Sequence, residues 1–134
     1  MKNRAKTKRF AGIPHRVIEH KDYASLSGNA VRLLVWFAYQ YNGKNNGKLT
    51  AVFEQLKEKG FKSKTTLAAA VKELRNNGFI ELTKGSIFNR HGKSPNYYAV
   101  TWERINDIPG FEMIVEPTNK ALRSFHDEID RRAA

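Results

Sequence analysis

The segment GFKSKTTLAAAVKEL, residues 60–74, places the end of one helix directly before the start of another. Gly60 can take the left-handed conformation that ends a helix, because glycine has no β-carbon to clash with the backbone. Ser63 can accept a hydrogen bond from an unpaired N–H at the start of the second helix. The buried face of that helix is predicted from an i, i+3, i+4, i+7 spacing: Leu67, Ala70, Val71 and Leu74. The segment therefore predicts two helices joined by a tight turn.

The opposite face of the second helix is small, polar and basic, with no acidic residue in its first turns. A face of this kind suits a helix that enters the major groove of DNA. We select five of its residues as candidate contacts to bases or phosphates: Lys64, Thr65, Thr66, Ala69 and Lys72. Lys62, in the turn, is a candidate phosphate contact. Because the first turns hold no arginine, we expect base specificity from this helix to be modest.

The elements around this helix pair predict a small antiparallel sheet. Residues 48–50 read as a minimal strand, and residues 51–59 as a helix that Thr50 caps. The second helix is expected over residues 64–77, ended by Gly78. Two further strands are expected at residues 79–83 and 97–102. The loop between them, residues 84–96, is polar, basic and without acids, and four of its residues are candidate DNA contacts: Lys84, Arg90, His91 and Lys93.

The N-terminal part begins with a basic segment, residues 1–9, which we expect to be a flexible arm. Its candidate DNA contacts are Lys6, Lys8 and Arg9, and a solvated tail is an equally good interpretation. Residues 10–20 are expected to be irregular, and Asp22 is expected to cap a short helical turn. A longer helix follows over residues 27–42, with Ser27 as its N-cap.

The long helix of residues 27–42 is apolar on nearly all sides, so it must be covered on more than one side. A C-terminal helix over residues 120–132 would cover it, and so would a second copy of the chain. That C-terminal helix is predicted from Leu122, Phe125 and Ile129, and packing within the chain is preferred to packing on a partner. Residues 111–115 are expected to form a strand or an extended strap.

The net charge of +11 is unevenly distributed. Residues 44–95 hold eleven lysines and arginines against four acids, and residues 1–22 hold seven against two. Residues 96–134 hold five against seven. The positive charge thus coincides with the N-terminal arm, the helix pair and the basic loop, which indicates a polyanionic partner. A generally basic protein without such a partner is the alternative.

The order of these elements, with GFKSKTTLAAAVKELRNNGFIELTKG followed by a basic hairpin ending in YYAVTW, resembles winged helix-turn-helix domains of bacterial transcription and replication regulators. The stretch LSGNAVRLLVWFAYQYNGKNNGKL is similar to small proteins encoded by phages, prophages and plasmids of Proteobacteria. The resemblance covers about residues 10–105. It implies an α+β fold, mostly α, with a three-stranded β-sheet, a wing at residues 84–96 and double-stranded DNA as ligand. The C-terminal strap and helix, residues 106–134, lie outside it.

Enzymatic function is not expected. The chain has no cysteine, no nucleotide-binding glycine motif and no nucleophile motif, and its histidines are scattered: His15, His20, His91 and His126. We therefore expect no cofactor and no metal, and Trp36 and Trp102 are expected in the core. No apolar run is long enough to span a bilayer, and a cytoplasmic location without a membrane contact is expected.

Two functions remain from the sequence. The first is a DNA-binding regulator of mobile-element origin, acting as a homodimer through the long first helix or the C-terminal helix. The second is a non-enzymatic protein-interaction module on the same scaffold, such as a phage-encoded inhibitor of a host defence complex of the anti-CRISPR type or an adaptor of a host protein complex. RNA binding is a weaker third reading, because RNA-binding strand motifs are missing.

Overall fold

The computed structural model describes residues 9–125, which form five helices and two antiparallel two-stranded sheets. The helices are α1 (His15–Ile18), α2 (Lys21–Ala24), α3 (Gly28–Gln40), α4 (Phe53–Leu56) and α5 (Lys64–Asn76). The strands are β1 (Ile80–Lys84), β2 (Phe88–Asn89), β3 (Gly92–Lys93) and β4 (Tyr97–Val100). The fold class is α+β, as predicted. Within the described residues, no helix is long and apolar enough to cross a membrane.

The core lies between α3, α5 and the sheet of β1 and β4. Phe37 of α3 meets Tyr98 of β4 edge-on, with ring centroids 5.7 Å apart. Leu67 and Leu74 of α5 are buried in the same cluster, as the i, i+7 spacing predicts. Trp102 is buried in this cluster too, and the partly buried Trp36 packs against the cluster, so both tryptophans are in or beside the core as expected.

The predicted N-caps of the two long helices are confirmed. Ser27 accepts a hydrogen bond from the Ala30 N–H at 3.1 Å, and Ser63 accepts one from the Thr66 N–H at 3.1 Å. Gly60 has a φ of +105°, the left-handed region that an L side chain rarely adopts. Glu73 of α5 also accepts hydrogen bonds at 2.7 Å from both the N–H and the hydroxyl of Ser27, which ties α5 to the start of α3.

The N-terminal segment is more ordered than predicted. Residues 15–18 form α1 immediately after Pro14, whose carbonyl accepts from the Val17 N–H at 3.1 Å. The expected cap of the next turn, Asp22, is wrong. His20 caps α2 instead, because its buried ring accepts the Asp22 N–H on Nδ1 at 2.9 Å. The Asp22 carboxylate accepts from Arg123 at 2.7 Å.

The helix predicted over residues 51–59 is reduced to one turn, α4, and Thr50 does not cap it. Thr50 is held extended by Gln40, which accepts from the Thr50 N–H at 3.0 Å and donates to its carbonyl at 2.7 Å. The Trp36 indole donates to the same carbonyl at 3.0 Å. These bonds from α3 fix the backbone before α4, and the helix starts at Phe53, two residues later than predicted.

The main sheet differs from the predicted three strands. β1 and β4 pair antiparallel, and Leu49 adds a single bridge residue, exchanging N–H···O bonds of 3.0 and 2.7 Å with Tyr98. The pairing of β1 and β4 shifts between Leu82 and Lys84, which leaves Thr83 as a bulge. The Thr83 hydroxyl donates to the Gly47 carbonyl, and its own carbonyl accepts the Ile114 N–H at 2.7 Å.

Residues 104–125, here called the C-terminal strap, form no regular helix or strand. The helix predicted over residues 120–132 is therefore wrong for residues 120–125, and the rest of it lies outside the described residues. Phe125 is nevertheless in the core, stacked on Phe79 at 5.5 Å, and it reaches that position with a φ of +62°. The Arg123 N–H bonds the Thr101 carbonyl at 3.1 Å. Bonds to distant residues thus replace the bonds that a helix would make within itself.

Asn46 links three segments that are far apart in the chain. Its side chain is fully buried, accepts the Val100 N–H at 2.8 Å and donates to the carbonyls of Val100 and Arg104 at 3.0 and 2.8 Å. Its backbone N–H donates to the Asn106 side chain at 2.8 Å, and its carbonyl accepts the Asn106 N–H at 2.9 Å. One amide group therefore satisfies the end of β4 and the start of the C-terminal strap.

Replacing Asn46 with Ala should lower the free energy of unfolding by about 3 kcal/mol or more, since each buried group left without a partner costs about 1–3 kcal/mol. Urea denaturation followed by circular dichroism measures this change. Asn29→Ala, at an exposed position of α3, is the matched control and should change stability by less than about 0.5 kcal/mol. Equal stabilities of the two variants would contradict the linking role of Asn46.

Candidate nucleic-acid interface

The outward face of α5 holds most of the residues that the sequence selected. Lys64, Thr65, Ala69 and Lys72 are exposed, and Lys62 is exposed in the preceding turn. Thr66 differs, because it is half-buried and its hydroxyl lies 2.9 Å from the Ser63 hydroxyl. That hydroxyl serves the start of the helix, which leaves the other members of the set for contacts with a ligand.

A groove of about 730 Å³ runs along one side of α5, between the helix and the main sheet. Lys64, Lys72 and Arg75 line its helix side, and Glu81 and Asn96 line its sheet side. Lys64, Lys72 and Arg75 are related by i, i+8 and i+11, which is one side of a helix. Arg75 was not among the predicted contacts, although this spacing in the sequence was sufficient to find it.

Acidic groups near the groove limit its positive charge at two points. Glu81 lines the groove itself. Glu54, exposed on α4, accepts a 2.7 Å hydrogen bond from Lys57. That hydrogen bond, and then the charge of Lys57, lowers the pKa of the Glu54 carboxyl from its ordinary value, with a smaller lowering from Lys64. Glu54 is therefore ionised at neutral pH, and its negative charge acts on Lys64 in the first turn of α5.

The loop of residues 84–96 contains a small hairpin of β2 and β3, called here the β2–β3 hairpin. Phe88 pairs with Lys93 and Asn89 with Gly92, and Arg90 and His91 form the turn. Side chains fasten its base: Asn96 accepts the Ser86 N–H at 2.7 Å, and Ser94 accepts the Ile87 N–H at 2.9 Å. These bonds hold the hairpin in a defined shape.

Three of the four predicted hairpin contacts are exposed: Arg90, His91 and Lys93. Lys84 is half-buried at the base, where its Nζ lies 5.0 Å from the centroid of the Phe111 ring. Lys48 lies 5.1 Å from the same ring, and Tyr97 meets it edge-on at 4.9 Å. The Lys84 ammonium group thus makes a cation–π interaction with an aromatic ring of the C-terminal strap.

The hairpin and α5 border one continuous depression. A second groove, of about 400 Å³, lies between residues 51–52 and the hairpin, where Lys93 and Ser94 line it. It shares Ala51, Asn96 and Tyr98 with the groove along α5. The cations of α5 and Lys93 therefore border the same concave surface.

Other predicted residues are placed as follows. Arg9 is exposed, and Lys6 and Lys8 lie outside the described residues, as does His126. His20 is buried against Phe125 and serves as a helix cap. Between residues 9 and 125, no group of three or more histidine, cysteine or acidic side chains is arranged to hold a metal ion.

The described surface thus combines an exposed basic helix face, a basic hairpin and a continuous groove between them. The function of this surface is inferred from its charge, exposure and shape. No family model, curated protein or solved structure matches this chain.

Proposed function

We propose that the protein binds double-stranded DNA through α5 and the β2–β3 hairpin, as a winged helix-turn-helix protein. In this proposal α4 and α5 are the helix-turn-helix, α5 is the recognition helix, and the β2–β3 hairpin is the wing. The observation that carries the proposal is the line of Lys64, Lys72 and Arg75 along a groove that continues to Lys93 of the hairpin. Phosphates of a duplex are the ligand that such a surface attracts.

The dimensions of α5 fit the proposal. Thirteen residues span about 20 Å at 1.5 Å per residue, and a helix with its side chains fills the major groove, about 12 Å wide. Ala68 and Ala69 are exposed on this helix and let its backbone approach base edges closely. A threonine or alanine methyl there can contact the methyl group of thymine, and Thr65 can donate a hydrogen bond.

The edge of the sheet also supports a winged-helix arrangement. In such a domain the segment before the helix-turn-helix adds a strand beside the wing. In the proposed arrangement, the single bridge from Leu49 to Tyr98 of β4 is the reduced third strand of the domain.

The proposed role is regulation of transcription or replication on a mobile element in a bacterial cytoplasm. Contacts from lysines dominate the face, and Arg75 is in the last turn of α5, so base-specific contacts would be few. Binding would therefore combine phosphate contacts with a modest sequence preference. Occupation of an operator or origin is the mechanism that this combination serves.

Protein binding is the second candidate function, and the outer face of α3 favours it. Val35 and Tyr39 are 46% and 64% exposed there, and a depression of about 600 Å³ is lined by these residues together with Val31, Trp36 and Leu56. A second copy of the chain would bury this face in a DNA-binding dimer. A host protein complex would bury it if the chain is an inhibitor of the anti-CRISPR type.

The double variant Lys64→Ala with Lys72→Ala should bind duplex DNA roughly tenfold more weakly, a loss of about 1.4 kcal/mol. The log–log dependence of affinity on salt should flatten by about 1.8, since each lost phosphate contact removes about 0.9. Fluorescence anisotropy with the DNA that flanks the coding sequence, and with random duplex, measures both values.

The matched control for that variant is Lys21→Ala with Lys44→Ala, which removes the same charge at exposed positions away from α5. Equal losses in the two double variants would mean that α5 makes no specific contribution. No binding by the unchanged protein to either duplex would contradict the DNA proposal itself.

Removal of residues 1–9 should lower duplex affinity and flatten the salt dependence by about 0.9 for each phosphate that the arm contacts. The same titrations measure it. A variant that keeps the length of the arm but carries Gln at its five basic positions separates charge from chain length. An unchanged salt slope would show that Lys6, Lys8 and Arg9 contact no phosphates.

Val35→Glu should convert a dimer into a monomer if the outer face of α3 joins two copies, because it places a charge in the apolar contact. Sedimentation equilibrium measures the mass, with 15.4 kDa expected for one chain. An unchanged protein that is already monomeric would contradict the dimer. If that monomer also binds no DNA, protein binding replaces DNA binding as the proposed function.

A further inference from the structure

The β2–β3 hairpin carries an aromatic ring that the fold does not use. Phe88 is 82% exposed, and the neighbouring Ile87 is 48% exposed. Within the core, by contrast, Phe37, Phe61 and Phe79 are fully buried. Phe88 therefore leaves most of an apolar ring in water on a basic hairpin, and a bound ligand that covers the ring would gain the free energy of burying it.

Phe88 projects from the same face of the β2–β3 hairpin as Lys93. Phe88 is directly opposite Lys93 in the pairing of β2 and β3, and opposed residues project from the same face of a strand pair. Lys93 lines the groove between the hairpin and residues 51–52. A ligand that lies along α5 and Lys93 would therefore meet the Phe88 ring as well.

The charges around Phe88 indicate what that ligand is. Residues 82–102 contain no acidic residue, and Arg90 and His91 form the turn next to the ring. A flat apolar ring surrounded by cations is complementary to stacked bases between two lines of phosphates.

We propose that Phe88 inserts between neighbouring base pairs of the bound duplex and kinks it, while Arg90 and Lys93 contact the flanking phosphates. This inference rests on the proposed DNA-binding function and adds a deformation of the DNA to it. An apolar side chain that enters the minor groove partly unstacks one base step and bends the duplex away from itself.

The support beneath the ring suits this action. A side chain that unstacks base pairs must be attached to a rigid part of the protein that does not move when the DNA resists deformation. The Ser86 hydroxyl donates to the Ser94 carbonyl at 2.6 Å, and the Ser94 N–H donates to the Ile87 carbonyl at 2.8 Å. Phe111 of the C-terminal strap packs on Tyr97 at the foot of the hairpin.

The wedge also adds to the modest sequence preference of α5. Pyrimidine–purine steps such as TA unstack more easily than other steps, so a site with such a step under Phe88 is bound more tightly. The preference would be read through the deformability of the DNA, with no hydrogen bond from Phe88 to a base.

The test uses the full chain and duplexes of roughly 24 base pairs, about two helical turns, taken from the flanking DNA. Each duplex carries a fluorescent dye at either end to report bending and 2-aminopurine at one adenine to report unstacking. The unchanged protein should raise the 2-aminopurine fluorescence at one step and shorten the distance between the dyes. Phe88→Ala should still bind, up to about tenfold more weakly, with both signals at the level of free DNA.

Phe88→Leu should keep part of both signals, because leucine is also an apolar wedge. Phe10→Ala, which removes an exposed ring outside α5 and the hairpin, is the control and should keep both signals in full. A kink of unchanged size in Phe88→Ala would overturn the wedge, and so would binding by the unchanged protein without any kink. Binding to the single strand alone, lost in Phe88→Ala, would overturn it in favour of a stacking platform. If the unchanged protein binds no DNA, the proposed DNA-binding function is contradicted, and the wedge with it. If the unchanged protein binds the duplex without kinking it, only the wedge is contradicted.

Discussion

The buried side chain of Asn46 holds the parts of this fold in register. A single amide satisfies the backbone at the end of β4 and at the start of the C-terminal strap, and Asn106 returns two hydrogen bonds to the Asn46 backbone. Leu49, two residues after Gly47, bridges to the edge of β4, and the Gly47 carbonyl accepts a hydrogen bond from the Thr83 hydroxyl. The network thus fixes the loop after α3 against the end of β4, against β1 and against the C-terminal strap. Because its members are buried, the loss of one partner leaves several polar groups without water to replace it.

Features that depend on neighbouring residues could be predicted from the sequence. The α5 helix needs only a serine cap, a glycine before it and a repeating apolar stripe, all of which lie within a few residues of each other. The exposed basic face of that helix follows directly from the stripe. The sequence also predicted a polar, basic loop over residues 84–96 between two strands, but not the β2–β3 hairpin that forms within that loop.

Features that depend on distant residues could not. The start of α4 is set by Gln40, and nothing in the sequence near Thr50 shows that bond. The apolar spacing after residue 120 is helical, yet Arg123 bonds the carbonyls of Thr101 and Asn77 instead. In the candidate site, Lys84 is an ordinary basic residue in the sequence, and its partner Phe111 belongs to a segment that the resemblance did not cover. Asn46 precedes a glycine, as asparagines in turns often do. The sequence around Asn46 therefore indicated only a turn residue and gave no sign of its buried hydrogen bonds.

The C-terminal strap has a consequence for how the chain is made. Arg16 Nε donates to the Ser124 carbonyl at 3.0 Å, and Phe125 fills a place in the core beside Phe79. Residues near the beginning of the described chain therefore make their final contacts only after residues more than a hundred positions later have been synthesised. Contacts over such distances slow folding, because a long loop must close before they stabilise anything. During translation the helices would form early while the core stays open, so a nascent chain interrupted before Phe125 would expose apolar surface to chaperones and proteases. Synthesis of the strap is thus a condition for a closed core and for a supported hairpin.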